Sequence, residues 1–132
     1  MNILIDTHIA LWALYDDSKL AEFAVQYLID SNNTIFYSLI SAWEIEIKHS
    51  LGKLNVPSDA FIHDCESMGF KNISIRKEHL LGLKALPYPD NGHKDPFDRL
   101  LIATANIENM GFLTQDHKLQ VYHERCILPG LQ

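Results

Sequence analysis

The chain has 132 residues, 47% of them hydrophobic, enough for one core and too few to divide comfortably into two domains. Eleven Lys and Arg against seventeen Asp and Glu leave a formal charge of −6, the wrong sign for holding nucleic acid by bulk electrostatics, so any such binding must be local or metal-assisted. Cys65 and Cys126 have no CxxC spacing, and no segment approaches the ~20 apolar residues of a membrane helix or carries a basic leader, which predicts a soluble, unprocessed protein in a reduced cytoplasm.

In chain order, residues 2–5 (NILI) predict a buried strand and Thr7 to Tyr15 a helix. Ser18 is a candidate N-cap for a second helix containing Leu20, Phe23, Ala24, Tyr27 and Leu28. Thr34 to Tyr37 is β-branched and aromatic, a second strand. Ser41 starts a third helix that stops near Gly52, and Ser58 caps a fourth that runs to about Met68. A third strand falls around Ile73 to Ile75, a short helix from Glu78 to Lys84, and a Pro/Gly/Asn-rich loop from Ala85 to Lys94. Asp95-Pro96 opens the longest helix, to about Asn109, residues 112–114 form a further strand, and a short final strand lies near Cys126 to Leu128. Alternating strands and helices predict an α/β fold, a three-layer sandwich with a central parallel sheet.

Asp6, Glu44, Asp98 and Asp116 each stand where an apolar stretch ends or a helix begins. In an open parallel sheet such positions converge on the crevice at the carboxyl ends of the strands. Carboxylates gathered there repel one another, and a divalent cation held by oxygen is the simplest remedy. Each acid also has an ordinary reading. Asp6 can cap the first helix, and Ser41-Ala42-Trp43-Glu44 has the form of a capping box. Asp98 lies in a helical first turn where the dipole favours it, and Asp116 suits an Asx-turn. Their joint placement beside apolar runs favours a site. Asp95, followed by proline, is sufficiently explained as an N-cap.

The seven histidines include no HExxH and no zinc-finger spacing. His8 reads as a surface residue or a neighbour of the metal ligands, His117 as solvated, Trp12 and Trp43 as packing, and the two cysteines as buried thiols. Lys48, four residues after Glu44, predicts a helical ion pair. His93, Lys94 and Arg99 bracket Asp95 and Asp98 and form a candidate phosphate-gripping rim, with exposed loop charges as the competing reading.

Four ordered blocks, Leu4-Ile5-Asp6-Thr7-His8 with Leu11-Trp12, Ser41-Ala42-Trp43-Glu44-Ile45 with Lys48 and Gly52-Lys53-Leu54, Lys94 through Ala103, and Leu113-Thr114-Gln115-Asp116, resemble the PIN-domain family, specifically the VapC-like toxins. The resemblance covers nearly the whole chain. It implies a single PIN domain over residues 1–132 and a magnesium- or manganese-dependent ribonuclease of a type II toxin–antitoxin pair, with an antitoxin partner and a homodimer. It also implies that Asp6, Glu44, Asp98 and Asp116 form the metal site and that the Thr114 hydroxyl supports it. The competing functions are a small-molecule phosphohydrolase with Asp6 as nucleophile, against which no second acid follows two residues on, and a non-catalytic α/β docking module whose acids are caps.

Overall fold

The computed structural model describes residues 1–130. Four strands, β1 (Asn2–Ile5), β2 (Thr34–Ser38), β3 (Lys71–Ile73) and β4 (Gly111–Leu113), form one sheet in the order β3-β2-β1-β4, with every pairing parallel. Six α-helices connect them: α1 (Thr7–Tyr15), α2 (Glu22–Ile29), α3 (Leu39–Ser50), α4 (Ser58–Ser67), α5 (Lys77–Gly82) and α6 (Pro96–Glu108). Short 3-10 turns cover Asp17–Lys19, Leu83–Ala85 and His117–Tyr122.

Strand alternation sorts the core into two layers. Ile3, Ile5, Ile35, Tyr37 and Leu113 pack on one face with Ile9 and Ala10 of α1, Ala24 of α2 and Phe61 of α4. Leu4 and Phe112 face the other way, onto Leu100, Leu101, Ile102 and Ala105 of α6. The near-continuous apolar strands belong to a sheet covered on both faces, and the three-layer α/β arrangement expected from the sequence is the one observed.

The strand order decides where a site can form. From β1 the chain steps outward through β2 to β3, then returns and lays β4 on the opposite side of β1. The connections leaving β1 and arriving at β4 therefore lie on opposite faces, and a crevice opens beyond their carboxyl ends. Asp6 and Thr114 immediately follow these two strands, and the Asp6 N–H donates to Leu113 O across the junction at 3.1 Å.

Several boundaries differ from the sequence expectation. α2 begins at Glu22, because Ser18 turns its hydroxyl onto Asp16 inside a 3-10 turn. α3 begins at Leu39 with Ser38 as its cap, the Ser38 hydroxyl accepting from Ile40 N at 2.9 Å. Ser58 does not cap α4; Pro57 stands at that position and the Ser58 hydroxyl donates to Glu46. β3 lies two residues earlier than expected, in register with β2 through Phe36–Lys71 and Ser38–Ile73. Residues Cys126 to Leu128 make only an isolated bridge beside β4: Phe112 N donates to Cys126 O at 2.6 Å, and Leu128 N to Phe112 O at 2.9 Å. Leu128 lies so close to Gly111 that a Cβ there would meet it at 2.8 Å.

Candidate metal centre

Asp6 ends β1 and caps α1. One carboxyl oxygen accepts from Ile9 N at 2.8 Å, and the other accepts from the Thr114 hydroxyl. The group is only 4% exposed, and burial pushes its pKa up to about 6 against the pull of those two hydrogen bonds; the charges of Asp116 and Glu44 add to the rise. Thr114 in turn accepts from Asp116 N at 3.0 Å, so one buried hydroxyl ties the ends of β1 and β4 together. Asp116 makes the expected turn, accepting from Lys118 N at 2.9 Å, and still faces the crevice. There it lines a pocket of about 210 Å³ with Asp6, His8, Trp12 and Gln115.

Glu44 does not form the capping box that its sequence suggests, because α3 starts two residues before Ser41. Ser41 and Glu44 turn instead toward the start of α1. The Thr7 hydroxyl donates to Glu44 Oε1 at 2.8 Å, and its oxygen lies 2.9 Å from the Ser41 hydroxyl. Lys48 donates to Glu44 Oε2 at 2.9 Å, the helical pair expected from the spacing. Glu44 is thereby a buried carboxylate shared between α1 and α3.

At the start of α6, Asp95 is the N-cap, its carboxylate accepting from Asp98 N at 3.0 Å. That frees the side chain of Asp98, which accepts from His93 Nε2 at 3.1 Å. Burial lifts the Asp98 pKa to about 6; the neighbouring charge of Asp95 raises it further, the His93 bond opposes the rise, and Asp6 and Glu44 again add to it. The charges of Asp116 and Glu44 raise the pKa of Asp6, and those of Asp6 and Glu44 raise that of Asp98, so the four acids share one electrostatic neighbourhood.

The expected phosphate rim is corrected for two of its three members. Arg99 is buried: its guanidinium donates to Leu86 O at 2.8 Å, to Pro87 O at 3.3 Å and to the Tyr122 hydroxyl at 3.2 Å, and it stacks 3.8 Å from the centre of the Tyr88 ring. His93 is turned onto Asp98 and Tyr122. Lys94 remains exposed. Rotation along the helix could have given this away, since successive residues are 100° apart and an Asp98 that faces the crevice turns Arg99 aside. Thr7 and Tyr122 carry no sequence signal that marks them as neighbours of the acids. Of the two tryptophans, Trp12 packs on the core beside the exposed His8 ring, whereas Trp43 is 54% exposed and rests edge-on against Phe97 at 4.9 Å.

The donor set is hard oxygen carrying excess negative charge, which suits magnesium or manganese and not zinc. Among the described residues, no three acidic, histidine or cysteine side chains stand close enough to enclose an ion unaided.

A central parallel sheet with helices on both faces and acids beside its switch point defines a three-layer α/β domain. The sequence profile of the PIN domain family matches residues 3–124, and the chain belongs to that family. A search of curated proteins finds no significant match. Among solved structures, the crystal structure of VapBC2 from Rickettsia felis bound to a DNA fragment from their promoter is similar in fold, with a TM-score of 0.63 and 17% identity over 91% of this chain and 92% of that one. Among the described residues, no helix is long and apolar enough to cross a membrane.

Proposed function

We propose that this chain, as a single PIN domain over residues 1–132, is a magnesium- or manganese-dependent endoribonuclease, the toxin of a type II toxin–antitoxin pair. What supports the reading is that Asp6, Glu44, Asp98 and Asp116 stand at strand ends and helix starts beside the switch point, where Asp6 is buried and the charges of its fellow acids raise the pKa of both Asp6 and the half-buried Asp98. Similarity in fold to a VapBC2 complex supports the toxin reading and an antitoxin partner. A homodimer and a cytoplasmic setting complete the proposal.

Asp6 and Asp98 are the central metal ligands, and Glu44 and Asp116 complete the set directly or through water. When bound, the cation lowers the pKa of an attacking water and neutralises charge on the phosphoryl oxygens during in-line displacement. The chain's own groups prepare this arrangement. Thr114 and the Ile9 N–H orient Asp6, Thr7 and Lys48 orient Glu44, and the exposed Lys94 is available to a substrate phosphate. With no cation bound, the acidic crevice repels RNA, so substrate binding and metal binding are coupled.

The test is incubation of antitoxin-free protein with total cellular RNA and magnesium or manganese, with Asp6→Asn and EDTA in parallel. Cleavage lost in both controls is the expected result; cleavage that survives Asp6→Asn overturns the assignment. The capping bonds of Asp6 and Asp116 favour a second reading, a docking module that needs no metal. A melt with manganese separates the two, since a ligand at 100 times its dissociation constant adds about 2.7 kcal/mol.

A further inference from the structure

Each acid of the crevice is oriented by hydrogen-bond donors; Asp116 is held by the backbone N–H of Lys118, and Asp98 is the one acid held by a single side chain. Asp6 is held by Ile9 N and Thr114, and Glu44 by Thr7 and Lys48. Among the described residues, the only donor to the Asp98 carboxylate is His93 Nε2, at 3.1 Å. The direction of Asp98 therefore depends on one imidazole, carried by a loop without regular structure.

The imidazole is itself fixed. Its side chain is 8% exposed, its ring lies edge-on to Tyr122 with centroids 5.4 Å apart, and its Nδ1 is 2.7 Å from the Tyr122 hydroxyl. The direction of each bond follows from chemistry. An ionised Asp98 only accepts, so the ring proton is on Nε2 and Nδ1 accepts. Arg99 only donates, so the Tyr122 oxygen accepts from it, and the tyrosine hydrogen goes to Nδ1 at 2.7 Å, the nearer acceptor, over the His93 carbonyl oxygen at 3.4 Å. Arg99 is anchored by Leu86 O, Pro87 O and the Tyr88 ring, and it is the residue next to Asp98 on α6. The array begins and ends on the same helical turn.

We infer that His93 is a positioning residue for Asp98, locked by Tyr122 and Arg99 so that one Asp98 oxygen is engaged by the ring and the other is left to face the cation. The inference rests on the metal-nuclease reading and assigns the buried arginine a task other than phosphate contact. Groups that hydrogen-bond metal ligands fix ligand orientation, and their loss typically lowers metal affinity by about 10–100-fold.

The experiment titrates manganese, read by the electron paramagnetic resonance of the free ion, into the full-length parent, His93→Ala, His93→Gln and Tyr122→Phe, with an EDTA melt of each protein to report fold stability separately. His93→Ala is expected to weaken manganese binding by roughly 10–100-fold. His93→Gln, whose amide nitrogen reaches the place of Nε2, is expected to recover part of the loss, and Tyr122→Phe to lose less than His93→Ala. If His93→Ala binds manganese as the parent does, or glutamine restores nothing, the positioning role is overturned. Should His93→Ala fail to fold, Tyr122→Phe decides: unchanged affinity in that folded variant overturns the array. A parent that binds no manganese removes the metal reading and this inference with it, whereas a parent that binds alongside variants that bind equally removes only the inference.

Discussion

Two helices open onto the crevice with an aspartate at the N-cap, and they divide the work differently. At α1, Asp6 is both cap and site acid; one oxygen satisfies Ile9 N and the other is held by Thr114. At α6 the two tasks are separated: Asp95 caps the third helical residue, and that residue, Asp98, keeps its own carboxylate for the crevice. A helix terminus can thus present a carboxylate to a ligand from the cap position, where the backbone shares it, or from three residues on, where the dipole supports it and another group must aim it.

Paired substitutions sharpen this contrast most. Asp95→Ala removes a cap and should cost about 1 kcal/mol in a denaturant melt, whereas Asp6→Ala removes a cap together with a buried charge, whose relief at neutral pH in EDTA should offset that cost. On the proposed ribonuclease reading, only Asp6→Ala should also reduce RNA cleavage by at least roughly 100-fold, because the proposed cation would lose a ligand. Equal loss of cleavage in Asp95→Ala would break the distinction.

A second difference lies in pH. The Asp6 carboxyl titrates near 6 in the folded chain against 3.8 for the ordinary group, so the native state binds the proton more tightly than the unfolded state. In EDTA, stability should be greatest below about pH 4, fall by on the order of 3 kcal/mol as pH rises to 6, and level off above it. Asp98 adds a fall in the same window. Urea melts between pH 4 and 8 measure it, and a flat profile would mean that neither acid pays for its burial.

Smaller again is the effect of Asp98→Asn. The amide oxygen can still accept from His93, so the change removes a repelling charge while it keeps the bond; metal-free stability at pH 7 should rise by about 1–3 kcal/mol as manganese stabilisation disappears. A loss of metal-free stability would show that the bond needs the full carboxylate. The smallest change is Lys48→Ala, where a partly exposed helical pair contributes about 0.5 kcal/mol to thermal stability.

The strand ends and the caps of α1 and α6 were legible in the sequence because they depend on local chemistry: apolar runs, a cap residue and a proline at the first helical position. The start of α3 was less so. Ser38 and Ser41 both satisfy a cap pattern, and the choice falls to Ser38 because Ser41 and Glu44 are recruited by Thr7, more than thirty residues earlier. The array around His93 was illegible for the same reason. Tyr122 lies 29 residues from His93, and only the packing of the His117–Tyr122 turn against the loop brings the hydroxyl to the ring.

The pairing of Cys126 to Leu128 beside β4 has a consequence for how the chain behaves among copies of itself. β4 is a terminal strand of the sheet, three residues long, and its outward hydrogen-bonding groups would otherwise invite another strand to add on. The bridge to Ile127 occupies both Phe112 N and Phe112 O, while Leu128 closes over the side-chain-free Gly111. Residues Cys126 to Leu128 thus cover the outward hydrogen-bonding groups of Phe112 on the strand leading into Thr114 and Asp116, and among the described residues the short β3 is the edge at the far side of the sheet.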